Sequence, residues 1–300
     1  MDTLENLRRK LDGAKDLKSV VRTMKAVAAS NIGQYELAVS SLGDYYRTVT
    51  LGIVAYFKAE NIDHVRINTE SKLKEGQIGA IVFGSDQGLV GQFNDSLVRF
   101  VSESLHHLPE KNKIWAVGER VRLLLSDVGF KTEQIFNVPN SVHAITPLIG
   151  EILIKAQEQL EQGKLTAFYI FHNEPKDGAG YAPVMQRLLP LDEKWKNIFE
   201  EFQWPTKSIP QVAGGSKPTV SALIREYLFV SLFKACAESL ASENASRLAA
   251  MQRAEKNIEE LLDDLGNSFH RLRQSSIDEE LFDVVAGFEN LKEDYNKNHT

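Results

Sequence analysis

The run Q-I-G-A-I-V-F-G (77–84) is followed by S-D-Q-G-L-V-G (85–91) and then an amphipathic stretch, an order in which phosphate-binding loops occur. A phosphate cradle of the G-x-x-x-x-G-K-S/T kind needs a lysine directly after its second glycine, to reach the terminal phosphates. Here Gly84 and Gly88 are four apart, and no lysine follows until Lys111. The dinucleotide pattern G-x-G-x-x-G is absent too, so the turn reads as geometry, with Asn94 or Asp95 capping the next helix. The seven histidines (64, 106, 107, 143, 172, 270 and 299) show neither i, i+4 pairing nor the nearby carboxylate of a metal helix. Serines are plentiful, yet no G-x-S-x-G elbow occurs. Cys236, the one cysteine, permits no internal disulfide or thiolate cage and reads as a small buried hydrophobe in a reducing compartment. No catalytic constellation is visible, which points to a mechanical or structural task without a cofactor or metal.

The elements around that loop fall into three segments. All nine prolines lie between Pro109 and Pro218, so both ends are free to form long helices while the middle is turn-rich. The middle, 76–191, alternates strand-like runs (77–84, 113–117, 165–172) with helical ones (94–107, 119–128, 147–160), and 182–191 closes it as an antiparallel edge. Such alternation predicts a mostly parallel sheet in an α/β domain. Residues 192–216, rich in proline and glycine, are expected as a linker.

In the first segment, 1–60, apolar residues step by three or four: Leu4, Leu7, Leu11, Ala14, Leu17, Val21, Met24, Ala28, Ile32, Tyr35 and onward to Val49. The third, 217–291, repeats the pattern through Tyr227, Val230, Ala237, Leu240, Asn244, Leu248, Met251, Ile258, Leu261, Leu265 and Leu272. Both are narrow seams rather than broad core faces. About 70 residues of helix would span roughly 105 Å, a length that needs a partner throughout. A compact domain between the two segments returns the chain to its start, so the expected fold is an antiparallel coiled coil of the N- and C-terminal helices flanking a Rossmann-like α/β domain. Alanines at 237, 241, 245 and 249 would admit close approach, and contact is expected between residues 24–30 and 244–254. Residues 292–300 are expected as a flexible tail.

Charge excludes some functions. A formal charge of −6 argues against a nucleic-acid binder, which wants a concentrated basic face. No stretch approaches the ~18 apolar residues of a membrane span, and the opening M-D-T-L-E-N-L-R-R-K lacks the apolar middle of a signal peptide. Within the first 25 residues Arg8, Arg9, Lys10, Lys15, Lys18, Arg22 and Lys25 outnumber the acids by three. A solvated helix face explains this, as does an acidic protein partner.

L-R-R-K-L-D-G-A-K-D-L-K-S-V-V-R-T-M-K-A-V-A-A-S (7–30) resembles the opening helix of the γ subunit of F-type rotary ATP synthases. S-L-A-S-E-N-A-S-R-L-A-A-M-Q-R-A-E-K-N-I (239–258) and H-R-L-R-Q-S-S-I-D-E-E-L-F-D-V-V-A-G (270–287) are similar to its closing helix, and S-D-Q-G-L-V-G-Q-F-N (85–94) to its S-D-R-G-L-C-G-G-x-N loop. The resemblance implies a non-catalytic central shaft that turns inside three α and three β subunits, footed on the ε subunit and the c-ring. It would couple proton or sodium flow to ATP synthesis or hydrolysis. It further implies rotor–stator contacts at Met24, Lys25, Arg247, Arg273, Gln274 and Glu280, and a foot-domain loop of Ser85, Asp86, Gly88, Leu89, Gly91 and Asn94. The implied location is peripheral, on the cytoplasmic face of a bacterial inner membrane.

The chain departs from the pattern at Gln87 (for arginine), Val90 (for cysteine), Gln92 (for glycine), Asp278 (for threonine) and the extension 289–300, which fits a divergent, alternate-type member. The rival reading is a non-rotary coiled-coil adaptor with an α/β docking domain. It differs in needing no threefold ring.

Overall fold

A computed structural model describes residues 3–59, 77–106, 112–162, 165–176, 180–190, 208 and 216–297. The chain divides into two compact units, residues 27–250 and residues 1–26 with 251–300.

The larger unit holds a five-stranded sheet in the order β3-β2-β1-β4-β5, where β1 is Gln77–Phe83, β2 Asn112–Val117, β3 Thr132–Phe136, β4 Leu165–Pro175 and β5 Tyr181–Leu189. Pairings β1–β2, β1–β4 and β2–β3 are parallel, and β4–β5 is antiparallel. The central strand β1 is apolar on both faces, as a strand covered from both sides must be. Ile81, Phe83, Trp115, Phe168 and Ile170 build one core, and Ile78, Val82, Ile114, Ala116 and Phe171 the other. The first is covered by α2 (Gly43–Ala59), α5 (Val142–Glu161) and α6 (Ser216–Lys297). The second lies under α3 (Phe93–His106) and α4 (Glu119–Asp127). Trp115 meets Phe168 edge-on, with ring centroids 5.5 Å apart.

Three differences from the expected pattern have physical causes. Strand β3, T-E-Q-I-F, gives no strand signal in the sequence, because an edge strand with one covered face carries polar residues and no apolar run. The helix expected across 1–60 is two helices, α1 (Leu4–Ser41) and α2. At the break, Ser40 and Ser41 hydroxyls donate to the Leu37 carbonyl at 2.9 and 2.7 Å, competing with the backbone ladder, and Gly43 follows. Val49 and Ile53 of α2 join the sheet core instead of continuing a seam. Finally, α6 runs unbroken for 82 residues to Lys297, so 292–297, expected as tail, are helical. The expected linker lies outside the described residues apart from Ser208 and Ser216.

In the smaller unit, Val21, Met251 and Ile258 form a buried cluster, with Met24, Ala254 and Leu262 packed against it. Met24 beside Met251 and Ala254 lies within the contact expected between 24–30 and 244–254. Along α1 the buried residues Leu7, Ala14, Val21, Ala28 and Tyr35 recur every seven. Leu17, placed in the seam from its hydrophobicity, is 51% exposed. Lys18 takes that row: its stem is largely covered and its Nζ reaches Glu259 Oε1 at 2.9 Å. Leu261 is likewise 47% exposed, and Leu262 packs in its stead.

Glu255 collects two cations. Lys25 Nζ donates to Oε2, and Arg22 Nε donates to Oε1 at 2.7 Å. These bonds, Lys25 first and Arg22 second, hold the Glu255 carboxyl down to about 2, from 4.5. A depressed carboxylate pKa contributes stability that is present above 4.5 and lost as pH falls toward 2. An acid titration of Glu255→Gln, followed by circular dichroism, should therefore lack part of the wild-type stability loss between those pH values. A superimposable acid limb would show that the pair adds nothing to folding.

Candidate functional site

The loop after β1 is held by its own polar side chains. Gly84 N–H donates to Val117 O at 2.9 Å, carrying the chain past the end of β2. A Cβ on Gly84 would lie 2.3 Å from Cβ of Val121, so only glycine lets α4 approach this closely. Gly118 has φ +114°, and a Cβ there would lie 2.6 Å from the Ser85 carbonyl oxygen. Ser85 is buried: its N–H donates to Asn94 Oδ1 at 3.0 Å, and Asn94 Nδ2 donates to Ser85 Oγ at 2.8 Å. Asn94, expected as a helix cap, is instead a buried residue inside α3 that ties the loop to the helix.

Asp86 does cap a helix, though not its own. Its Oδ1 accepts from Glu119 N–H at 3.0 Å, at the start of α4, where Gly118 supplies no side chain. Its Oδ2 accepts from Val138 N–H at 3.2 Å. The carboxylate thus meets the positive end of α4 and pins a second loop. Beyond it, Leu89 is exposed with φ +63°, and Gly91 has φ +56°.

In an open α/β sheet, ligands enter the crevice past the strand C-termini where the order reverses, here between β1 and β4. That crevice is filled by α6. Ser239 Oγ donates to Phe83 O at 2.9 Å, Ser242 Oγ to Asn173 O at 3.0 Å and Ser246 Oγ to Val90 O at 2.6 Å. Beside them the buried His172 Nε2 lies 3.0 Å from Glu238 Oε2, a pairing invisible in a sequence where the two stand 66 residues apart. Burial pushes the Cys236 thiol far up, which leaves it unreactive. The arrangement suits packing, not phosphate binding.

The six residues implied as rotor–stator contacts divide evenly. Met24 is half-buried in its cluster, and Lys25 is engaged by Glu255. Arg247 Nη2 donates to Glu243 Oε1 at 2.5 Å; burial raises the Glu243 carboxyl while Arg247 opposes the rise. Arg273, Gln274 and Glu280 are exposed. Arg9 and Lys15 pair with Glu5 and Asp12 of their own helix, while Lys18, Arg22 and Lys25 pair with Glu255 and Glu259 of α6, and it is these last pairs that meet the basic excess of the first helix inside the chain.

Sequence reasoning missed an apolar run among the exposed residues of α6. Ile277, Leu281, Phe282, Val284 and Val285 all face solvent, Phe282 at 74%. The signal was there: D-E-E-L-F-D-V-V places apolar side chains around the helix without a seam. Among the described residues, no helix is long and apolar enough to cross a membrane.

A family model described as ATP synthase matches residues 3–291. The ATP synthase gamma chain of Histophilus somni is 26% identical over 298 residues, covering 94% of this chain and 97% of its own. That of Clostridium botulinum is 26% identical over 300 residues, covering 95% and 97%. Among solved structures, the rotor of Euglena gracilis mitochondrial ATP synthase aligns with a TM-score of 0.63 at 17% identity, covering 91% of this chain and 98% of its own. The central stalk and c-ring structure of the Tetrahymena thermophila enzyme contains a chain that aligns at 0.54 and 20% identity, covering 78% and 99%. With a match that runs from residue 3 to residue 291, the chain belongs to the ATP synthase family.

Proposed function

We propose that the chain is the central-stalk rotor subunit of an F-type ATP synthase, non-catalytic itself, coupling proton or sodium flow through a c-ring to the nucleotide states of the β subunits. The observation that carries this is the family match across nearly the whole length, terminal helices included. Its partners are three α and three β subunits, the ε subunit and the c-ring, at the cytoplasmic face of a bacterial inner membrane.

In this reading the terminal helices pair antiparallel as a shaft, drawn from 1–60 and 217–291, with 76–191 as the foot. Supporting the direction, partners fall in number on α6 as they rise on α1: Lys18 with Glu259, then Arg22 and Lys25 with Glu255. Rotor–stator contact is made by Met24, Lys25, Arg247, Arg273, Gln274 and Glu280, with the last three already exposed for it. Exposed ion pairs contribute ~0–1 kcal/mol each, so such contacts can be exchanged at every step. The foot loop 85–94 acts as a brace, through Asp86 and Asn94.

Co-expressed with the α and β subunits of its own source, the chain is expected to purify at one copy per six of them, with ATP hydrolysis in the complex. A stable complex of any other ratio would support the adaptor instead.

A further inference from the structure

Ser239, Ser242 and Ser246 are spaced three and four apart and share one face of α6. A serine inside a helix commonly bonds back to its own backbone one turn earlier. These three, all buried, donate outward to three separate segments: the end of β1 at Phe83, the end of β4 at Asn173 and the loop at Val90. The receiving segments are braced to one another. Asn173 Nδ2 donates to Phe93 O at 3.0 Å, and Asn94 joins α3 to Ser85. Apolar burial is non-directional and tolerates slip, whereas hydrogen bonds have distance and angle limits. Turning α6 by one residue, about 100°, would break all three at once.

We propose that Ser239, Ser242 and Ser246 are positioning residues that key α6 into the strand-end edge of the sheet, making the crevice of the fold a torque-bearing socket. This rests on the rotor reading. The crevice that other α/β sheets offer to a ligand holds, in this chain, a helix that continues to Lys297.

Two measurements test it. In the full chain, native-state hydrogen exchange should show 236–246 opening together with β1 and β4. Each of S239A, S242A and S246A should raise that opening about fivefold, the factor for one unmade hydrogen bond. Opening of 236–246 independently of the sheet in the wild-type chain, which needs no variant to fold, would overturn the proposal. In the assembled complex in membrane vesicles, the triple alanine variant should lose ions pumped per ATP hydrolysed, read as acidification against phosphate release. A merely structural role would lower the yield of complex and leave that ratio at the wild-type value, and that result also overturns the proposal. Failure of the wild-type chain to assemble with α and β would instead reject the rotor reading, so the two are separable.

Discussion

Gly84→Ala should lower the melting temperature of the chain by roughly 6–12 °C, the shift for about 3 kcal/mol in a unit of this size. The added methyl would lie 2.3 Å from Cβ of Val121, and its two γ carbons at 2.5 and 2.8 Å block escape. Val121 is fully buried under the sheet, so α4 has to move, and with it the Glu119 N–H that Asp86 caps. Loop and helix should loosen together. Gly88, in the same loop, has nothing within 4 Å of such a methyl, so Gly88→Ala should stay within about 0.5 kcal/mol of wild type. Thermal unfolding by calorimetry checks both. Equal shifts for the two would mean that close approach at Gly84 is not what the glycine provides.

Val21→Lys should have a comparably large effect on the smaller unit. Val21 is buried at the centre of the cluster with Met251 and Ile258. A lysine there would be a cation without a carboxylate of its own, set between Lys18 and Lys25 on the same face of α1. Leaving a buried charge uncompensated costs about 3–5 kcal/mol. The acids nearby, Glu255 and Glu259, are already engaged by Lys18, Arg22 and Lys25. The expected readouts are early loss of helical signal on heating and, in the complex, ATP hydrolysis that no longer drives ion transport. Val21→Ile, which keeps the apolar contact, is the control. A lysine variant that melts and couples like wild type would show that this cluster does not hold the terminal helices.

Legibility in the sequence followed burial. Strand β1 could be read because a strand covered on both faces must be apolar throughout, whereas β3 at the edge could not. The three-and-four stepping of apolar residues along α1 was visible, yet its exact row was not, since hydrophobicity ranks Leu17 above Lys18. The packed helix uses the lysine stem and leaves the leucine outside. Gly84 stood out as a turn residue, but its need came from Val121, 37 residues later. Asn94 was legible as polar at a helix start, and its partner Ser85 was not. Local patterns report local geometry; side-chain partners across the fold, such as His172 and Glu238, leave no mark on spacing.

One helix from Ser216 to Lys297 without interruption also restricts how this chain can change in length. Each inserted residue advances the backbone by about 1.5 Å and turns it by about 100°. A single insertion just after Ser246 would therefore swing every later side chain to a different bearing relative to the three serines. Seven together restore the bearing to within about 20°. Insertions and deletions in this stretch should persist only in near-heptad blocks, while the surface turns of the α/β unit remain free to grow one residue at a time.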